Sequence, residues 1–449
     1  MDIGKLHNIC FLGIGGIGMS ALARYFHWIG KSVSGYDRVS TSLTRELEKE
    51  GMMITYQDNV KNFSTEPDLV VYTPAVPDDL KLLVHYRQLG VPVLKRAEVL
   101  GLITRNVRSV AVAGSHGKTT VVTMLAHIFQ TAGFEFSAFM GGISSNYQTN
   151  FLGSKDPGWV IVEADEYDRS FLHLQPHMAV ITSMDADHLD VYATREKMED
   201  AFRLFAGLVN KGGMLLTHKS LDGLSGLHPR QVCYGLESDE EITFRNIRLE
   251  EGKYSLELYC AEGIFEAVFH APGRHNLANA LAASIIALKA GVKPEAVVKA
   301  LATYKGVRRR FEIHVQNDKM VYVDDYAHHP NEIEACAQAA REFFPGRKIT
   351  CIFQPHLYSR TRDFARAFAE ALDKFDQIVI TEIYPAREQP IPGVSSQLIA
   401  EQMQNENKQL LAREQVLSFV EKNSFEVLIT MGAGDIDHFV APIKQILEK

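Results

Sequence analysis

Cysteine is scarce and unpatterned in this chain. Cys10, Cys233, Cys260, Cys336 and Cys351 are odd in number and scattered, with no C-x-x-C pair. That argues against a disulfide framework or a cysteine zinc site and favours reduced thiols, as in a cytosol. Positive charge is not in excess: 47 Lys and Arg stand against 55 Asp and Glu, a net charge of −8. A general nucleic-acid binder, which needs a basic surface, is therefore not expected. Any anionic ligand must meet local positive charge or metal ions. No apolar run approaches the ~20 residues of a membrane span, and the first residues lack the pattern of a signal peptide. Low-complexity segments and short repeats are also missing. The expectation is a cytoplasmic protein with neither membrane insertion nor a nucleic-acid partner.

What the chain does have is length and rhythm. Its 449 residues, 46% hydrophobic and 23% charged, suggest about three domains at roughly 150 residues each. Short apolar runs alternate with amphipathic helical patterns, the mark of parallel α/β units. HNICFLGIG reads as strand and turn, GMSALARYFHWIG as a helix, and KSVSGYD as a strand ending at Asp37. A basic stretch, TRNVRS, precedes the new strand SVAVAG. The segments ITFRNIRLE, YSLELYCAE and IFEAVFHA alternate apolar and polar residues and predict a more antiparallel insert within about 230–270. KGVRRRFE (305–312) has no strong periodicity and reads as a crossing into a third unit, which opens with MVYVDDYA.

Two glycine loops follow strands. FLGIGGIGMS carries a G-x-G-x-x-G spacing (Gly13, Gly15, Gly18), which brings backbone amides to a diphosphate at a helix N-terminus. A nicotinamide cofactor and a UDP-sugar both carry a diphosphate, so this loop does not choose between them. VAVAGSHGKTT is a strand, a phosphate loop and a helix start. Amides of residues 115–119 would face a polyphosphate, Lys118 would neutralise it, and a hydroxyl of Thr119 or Thr120 would meet Mg²⁺. Gly114 and Gly117 have two residues between them where the usual phosphate loop has four. Downstream, VEADEYD offers Glu163, Asp165 and Glu166, and DADHLD offers Asp185, Asp187, His188 and Asp190. Acids at the carboxyl ends of strands opposite a phosphate loop fit one or two Mg²⁺ ions.

With these residues in view, the chain resembles the Mur ligases of bacterial peptidoglycan synthesis. The resemblance runs over essentially its full length through GIGGIGMS, AGSHGKTT, EADEYDRSFLHLQP, DADHLDVY, GRHNLANALAA, GVRRRFE, DDYAHHPNEI, FQPHLYSRTRD, YPAREQPIPG and GAGDI. It implies three α/β domains, each an open, mostly parallel sheet with flanking helices. A Rossmann-like domain (1–106) binds the UDP-sugar, a P-loop ATPase domain (107–308) takes ATP, and a Rossmann-like C-terminal domain (309–449) helps bind the amino acid. The first loop then holds a uridine diphosphate. The resemblance further implies ATP-dependent amide formation on the lactyl carboxylate of UDP-N-acetylmuramate with L-alanine, by a monomer or weak homodimer that closes around its ligands.

Site roles carry over the same way. Gly15, Gly16, Ile17, Gly18, Met19, Ser20, Asp37 and Thr73 would hold the UDP-sugar. Gly114, Ser115, His116, Gly117, Lys118, Thr119 and Thr120 would hold ATP, with His275 and Asn276 on its base. Arg310 would clamp the phosphates, and Asp324 or Asp325 would meet the ribose or metal-bound water. Thr119 and Glu163 would ligate the first Mg²⁺ and His188 the second, with Mn²⁺ able to substitute. His328 and His329 would face substrate. Lys118, His188, Arg310, His329 and Arg360 form the catalytic set.

Two departures stand out. Sibling ligases carry a carbamylated lysine after the metal histidine; MEDAFRLF contains Arg203 and no lysine, so none is expected. Many members have an arginine where this chain has Leu357, which leaves Arg360, with Arg362 two residues on. Leucine makes no charge-assisted bond, so the alanine-side contact is partly rebuilt. The alternative acceptor within the family is a preformed murein tripeptide, which Tyr167 in EADEYD suggests. Outside it, an NAD-dependent oxidoreductase or a nucleotide-gated binding protein would leave Lys118 unneeded for product formation.

Overall fold

The computed structural model describes residues 1–62, 66–105, 107–185, 192, 194–386 and 388–449. The N-terminal sheet contains β1 (Asn8–Leu12), β2 (Ser32–Tyr36), β3 (Met53–Thr55), β4 (Leu69–Tyr72) and β5 (Val93–Lys95) in the order β3-β2-β1-β4-β5. Every pairing in it is parallel. Strand order reverses between β1 and β4, and a crevice for ligand opens at such a switch point, outside the carboxyl ends of the strands. GIGGIGMS occupies that place.

The central sheet is built from β6 (Arg108–Ala113), β7 (Phe136–Phe139), β8 (Phe151–Leu152), β9 (Trp159–Glu163), β10 (Met178–Ile181), β11 (Met214–His218) and β12 (Gln231–Tyr234), ordered β12-β11-β10-β6-β9-β7-β8. Its pairings are parallel except for β7 with β8. Ser109 and the apolar residues after it in β6 are all buried, the pattern of a strand covered on both faces. Because β9 and β10 flank β6, Glu163 at the end of β9 and Asp185 just after β10 emerge beside the phosphate loop.

The expected antiparallel insert is a three-stranded sheet of β13 (Thr243–Glu250), β14 (Lys253–Cys260) and β15 (Gly263–Phe269) in that order. Glu251 and Gly252, both at positive φ (50° and 71°), make the two-residue turn of a hairpin between the first two. The C-terminal sheet comprises β16 (Glu312–Gln316), β17 (Val321–Asp325), β18 (Ile349–Phe353), β19 (Gln377–Ile380), β20 (Lys408–Leu410) and β21 (Val427–Met431), ordered β16-β17-β21-β18-β19-β20. Only its β16–β17 pairing is antiparallel.

The chain groups into two compact units: Met1–Ile247 with Leu256–Val268 and Ala278–Lys305, and Arg248–Ser255 with Phe269–Leu277 and Gly306–Lys449. In the first, one apolar core runs from the N-terminal sheet to the central one, through Phe11, Phe26, Phe139, Phe171 and Phe202. In the second, Tyr322, Ile352, Val379, Leu428 and Ile443 form the core. Among the described residues, no helix is long and apolar enough to cross a membrane.

Candidate active site

The helix Lys118–Ala132 starts directly after the loop that follows β6, with no side-chain cap at Gly117. Its first N–H groups therefore lie open to an anion. Gly114 (φ 135°) and Gly117 (φ 85°) adopt backbone conformations that other residues resist. A Cβ on Gly117 would also stand 2.6 Å from Asn279 Oδ1. The end of β10 holds the loop in place. Ser115 N donates to Ser183 O (3.2 Å) and His116 N to Ser183 Oγ (2.9 Å). Ser115 Oγ donates to Asp185 O (2.9 Å), and His116 Nε2 lies 3.3 Å from Asp185 Oδ2.

Lys118 points inward. Its ammonium donates to Gly114 O (2.6 Å) and to both oxygens of Glu166 (2.8 Å each). Burial opposes the charge, yet the carboxylates of Glu166, Asp165 and Glu163 hold the lysine above its ordinary pKa. Glu163, raised by burial, is hydrogen-bonded by the Thr119 side chain and by Gly141 N at 2.8 Å. A side chain on Gly141 would run into that carboxylate. A threonine hydroxyl against a cradled carboxylate is the hard-oxygen chemistry that Mg²⁺ takes, so Thr119 and Glu163 fit that ion. His188 lies outside the described residues, as do Asp187 and Asp190. Thr120 occupies the same first helical turn and is half-buried.

The first glycine loop faces the same region. Gly15 N donates to Asp37 Oδ2 (2.8 Å), and a Cβ on Gly15 would crowd Asp37 and Thr44 at 2.8 Å. The helix Ile17–Trp28 again begins without a side-chain cap. Gly16, Ile17, Gly18, Met19 and Thr73 line a cavity of about 290 Å³ whose far wall includes Gly141, Glu163 and Asp165. Ser20 is placed elsewhere: wholly buried, its hydroxyl donates to Ile17 O (2.9 Å) and accepts from Asn150 Nδ2 (2.9 Å). That face of the helix packs on the central sheet's β7–β8 connection and not on the cavity, so a substrate contact through the Ser20 hydroxyl is not what this arrangement offers.

In the second unit three motifs converge. Arg310 lies 3.5 Å from Glu332 Oε1 and its guanidinium stands 5.2 Å from the centre of the Tyr326 ring. His328 Nδ1 is 2.9 Å from Tyr326 O and 3.3 Å from Glu332 Oε2, and burial pushes its pKa down. The His328 ring meets that of His356 at 5.8 Å, and Arg360 Nη1 is 3.5 Å from His356 Nδ1. His329 is buried edge-on to Phe364, 5.1 Å between centroids. Leu357 opens the helix Tyr358–Leu372 at φ 71°, a strained conformation for a leucine.

Arg309, at φ 61°, turns the other way from its neighbour and donates to Asp324 Oδ2 (3.1 Å) and Gly432 O (2.6 Å). Asp324 is wholly buried and also accepts from Thr430 Oγ1 (2.8 Å). Asp325 accepts from Phe311 N and Ala327 N, both at 2.7 Å, and burial pushes its pKa up to about 6. Asn276 donates to Pro272 O (2.7 Å), closing the turn before its helix, with His275 exposed beside it.

Two residues at the site were not singled out from the sequence. Asn279, under Gly117, differs from Asn276 only by one helical turn. Arg96, which lines the cavity, donates to Asp165 Oδ2 at 3.3 Å. In KRAEVL it reads as an ordinary cation before an apolar helix.

Two uncapped helix N-termini on parallel sheets, with a half-buried lysine and carboxylates at the adjoining strand ends, define a phosphate-binding α/β protein of three domains. The chain belongs to the Mur ligase family. It matches "Mur ligase family, catalytic domain" over residues 8–108, "Mur ligase middle domain" over 112–287 and "Mur ligase, glutamate ligase domain" over 309–434. It is 44% identical to a UDP-N-acetylmuramate–L-alanine ligase of Flavobacterium johnsoniae, covering 100% of both chains. Among solved structures it is similar to UDP-N-acetylmuramate-alanine ligase MurC of Thermotoga maritima, with a TM-score of 0.81, 29% identity and 99% of each chain covered. The murein peptide ligase mpl of Psychrobacter arcticus shares the fold, with a TM-score of 0.70, 21% identity and 98% of each chain covered.

Proposed function

We propose that this chain joins L-alanine to the lactyl carboxylate of UDP-N-acetylmuramate, turning ATP into ADP and phosphate, in the making of peptidoglycan precursors. The observation that carries this reading is the single cavity lined at one end by the glycine loop of residues 16–19 and at the other by Glu163. It gives a sugar diphosphate and a phosphate-activating site one shared space. The full-length similarity to L-alanine ligases supports the same substrates.

The reaction opposes a carboxylate to a polyphosphate, so the chain must supply cations and alignment. Lys118 leaves Glu166 for the β/γ-phosphates of ATP, and the amides of residues 117–119 at the start of its helix hold the rest of the chain of phosphates, those of Ser115 and His116 being taken by Ser183. Thr119, Glu163 and His188 would hold Mg²⁺ (two ions in the complete site, or Mn²⁺), which supplies charge neutralisation between phosphate and carboxylate. The lactyl carboxylate attacks the γ-phosphorus, the bond from that phosphorus to its β-bridging oxygen breaks, and ADP departs as the acyl phosphate forms. The neutral amine of L-alanine then adds to the acyl carbon, and the tetrahedral adduct expels phosphate. Arg310 steadies phosphate charge; His328, His329 and Arg360 receive the amino acid. His275 and Asn276 serve the ATP base. The buried hydrogen bonds of Asp324 favour its holding Arg309 in place over direct contact with the ribose. We take 1–106, 107–308 and 309–449 as the working domain boundaries.

Phosphate release from ATP with Mg²⁺ and UDP-N-acetylmuramate tests the reading, with L-alanine and L-Ala-γ-D-Glu-meso-diaminopimelate compared as acceptors. Release driven by L-alanine is expected. Release driven only by the tripeptide would transfer the chain to peptide recycling, and release with neither would overturn the substrate assignment.

A further inference from the structure

Arg96 opens the helix Arg96–Thr104, and Lys95 precedes it. Lys95 caps the helix through its backbone, its N donating to Glu98 Oε2 at 2.7 Å, but two positive charges at a helix N-terminus oppose the helix dipole and do nothing for the helix. Arg96 reaches the first glycine loop: a Cβ on Gly18 would stand 2.5 Å from Arg96 Nη1, so a side chain there would displace the guanidinium. Among the described residues lining the cavity, Arg96 is the one cation, facing Glu163 and Asp165. Its bond to Asp165 is single and long, 3.3 Å from Nη2 to Oδ2. The neighbouring pair, Lys95 with Asp168, closes to 2.8 Å. Asp165 is held from behind, its Oδ1 accepting from Tyr167 N at 3.1 Å. Of the two partners, the arginine is the one free to turn.

We infer that Asp165 is a built-in stand-in for the sugar nucleotide's diphosphate, occupying Arg96 until that diphosphate arrives and takes it over. This rests on the proposed function. Arg96 forks onto the diphosphate with two parallel bonds, a geometry a lysine cannot reproduce. Asp165 is a positioning residue: it keeps Arg96 aimed across Gly18 and sets a small threshold, which the doubly charged diphosphate overcomes.

The test is calorimetric binding of UDP-N-acetylmuramate to the full chain without ATP. Arg96→Ala should weaken binding about 10- to 150-fold, the range of charge-assisted hydrogen bonds, and Arg96→Lys should recover only part of it. Asp165→Asn should tighten binding about two- to fivefold, as expected for releasing a half-exposed ion pair, and less at high salt. In the Arg96→Ala background, Asp165→Asn should change nothing. Weaker binding in Asp165→Asn, or an unchanged gain without Arg96, would overturn the inference. If the unaltered chain does not bind UDP-N-acetylmuramate, the proposed function fails first. If it binds and Arg96 does not matter, only this inference fails.

Discussion

Lys118 and Glu166 face each other with the ammonium 2.8 Å from both carboxylate oxygens, and the Glu166 side chain is only 1% exposed. On the proposed function this cation grips phosphate, and it is already balanced by Glu166 before nucleotide arrives. Removing it leaves a buried carboxylate uncompensated. Lys118→Ala should abolish phosphate release, by about a thousandfold or more. It should also lower stability by about 3–5 kcal/mol. Adding Glu166→Gln should restore much of the stability and none of the turnover. Urea unfolding alongside the phosphate assay separates the two effects; recovery of turnover in the double variant would contradict the role given to Lys118.

Adjacent arginines make a sharp contrast. Arg309 holds the wholly buried Asp324, whereas Arg310 is 36% exposed and only 3.5 Å from Glu332. Arg309→Ala should cost about 3–5 kcal/mol of stability. Arg310→Ala should change stability by less than about 1 kcal/mol and slow ligation about 100-fold or more. Thermal unfolding and initial rates on both variants check the assignment, which fails if the two behave alike.

Asp325 should leave a pH signature. Its pKa is about 6 in the folded chain, against an ordinary 3.8, because burial disfavours the charge. The folded state therefore binds the proton more tightly, and the stability this confers is fully present below about pH 4 and lost as pH rises through about 6. From pH 7 down to pH 5, the unaltered chain should gain stability relative to Asp325→Asn. Parallel melting-temperature curves for the two proteins across that interval would count against it.

Gly141 and Gly207 predict opposite responses to alanine. A side chain on Gly141 collides with the Glu163 carboxylate, while at Gly207 nothing lies within 4 Å. Gly141→Ala should raise the Mg²⁺ concentration needed for half-maximal rate and lower the melting temperature. Gly207→Ala, at the end of the helix Arg195–Gly207, should leave the rate alone and add up to about 1 kcal/mol. Mg²⁺ titration of both variants is the measurement.

The parts of the site that could be read from the sequence are those where backbone does the work. A glycine loop between an apolar strand and a helix announces an anion site locally, as at Gly13–x–Gly15 and Gly114–Ser115–His116–Gly117, and so do acids that end buried strands, such as Glu163. The sheets were legible for the same reason: a buried parallel strand is a short apolar run, and β6 is one. Side chains that act through distant partners were not. Ser20 is turned from the cavity by Asn150, and Arg96 gains its place from Asp165 and Gly18. In both cases the decisive neighbour belongs to another element, and no periodicity encodes it. Asp324 and Asp325, consecutive at the end of β17, point to different partners; the sequence offers two acids there without saying what either one holds.

The junction in the first unit also sets a length. Asn150 Nδ2 reaches Ile17 O (2.7 Å) and Ser20 Oγ, Arg24 bonds Asn150 Oδ1, and the shared aromatic core lies behind them. The glycine loop and the end of β9 therefore share one packed core, with the cavity as the gap between them. On the proposed function, such a shared core works as a ruler. A sugar nucleotide seated by its diphosphate presents at Glu163 only a carboxylate hung at the matching distance, and one carrying an amino acid already would overshoot the mark.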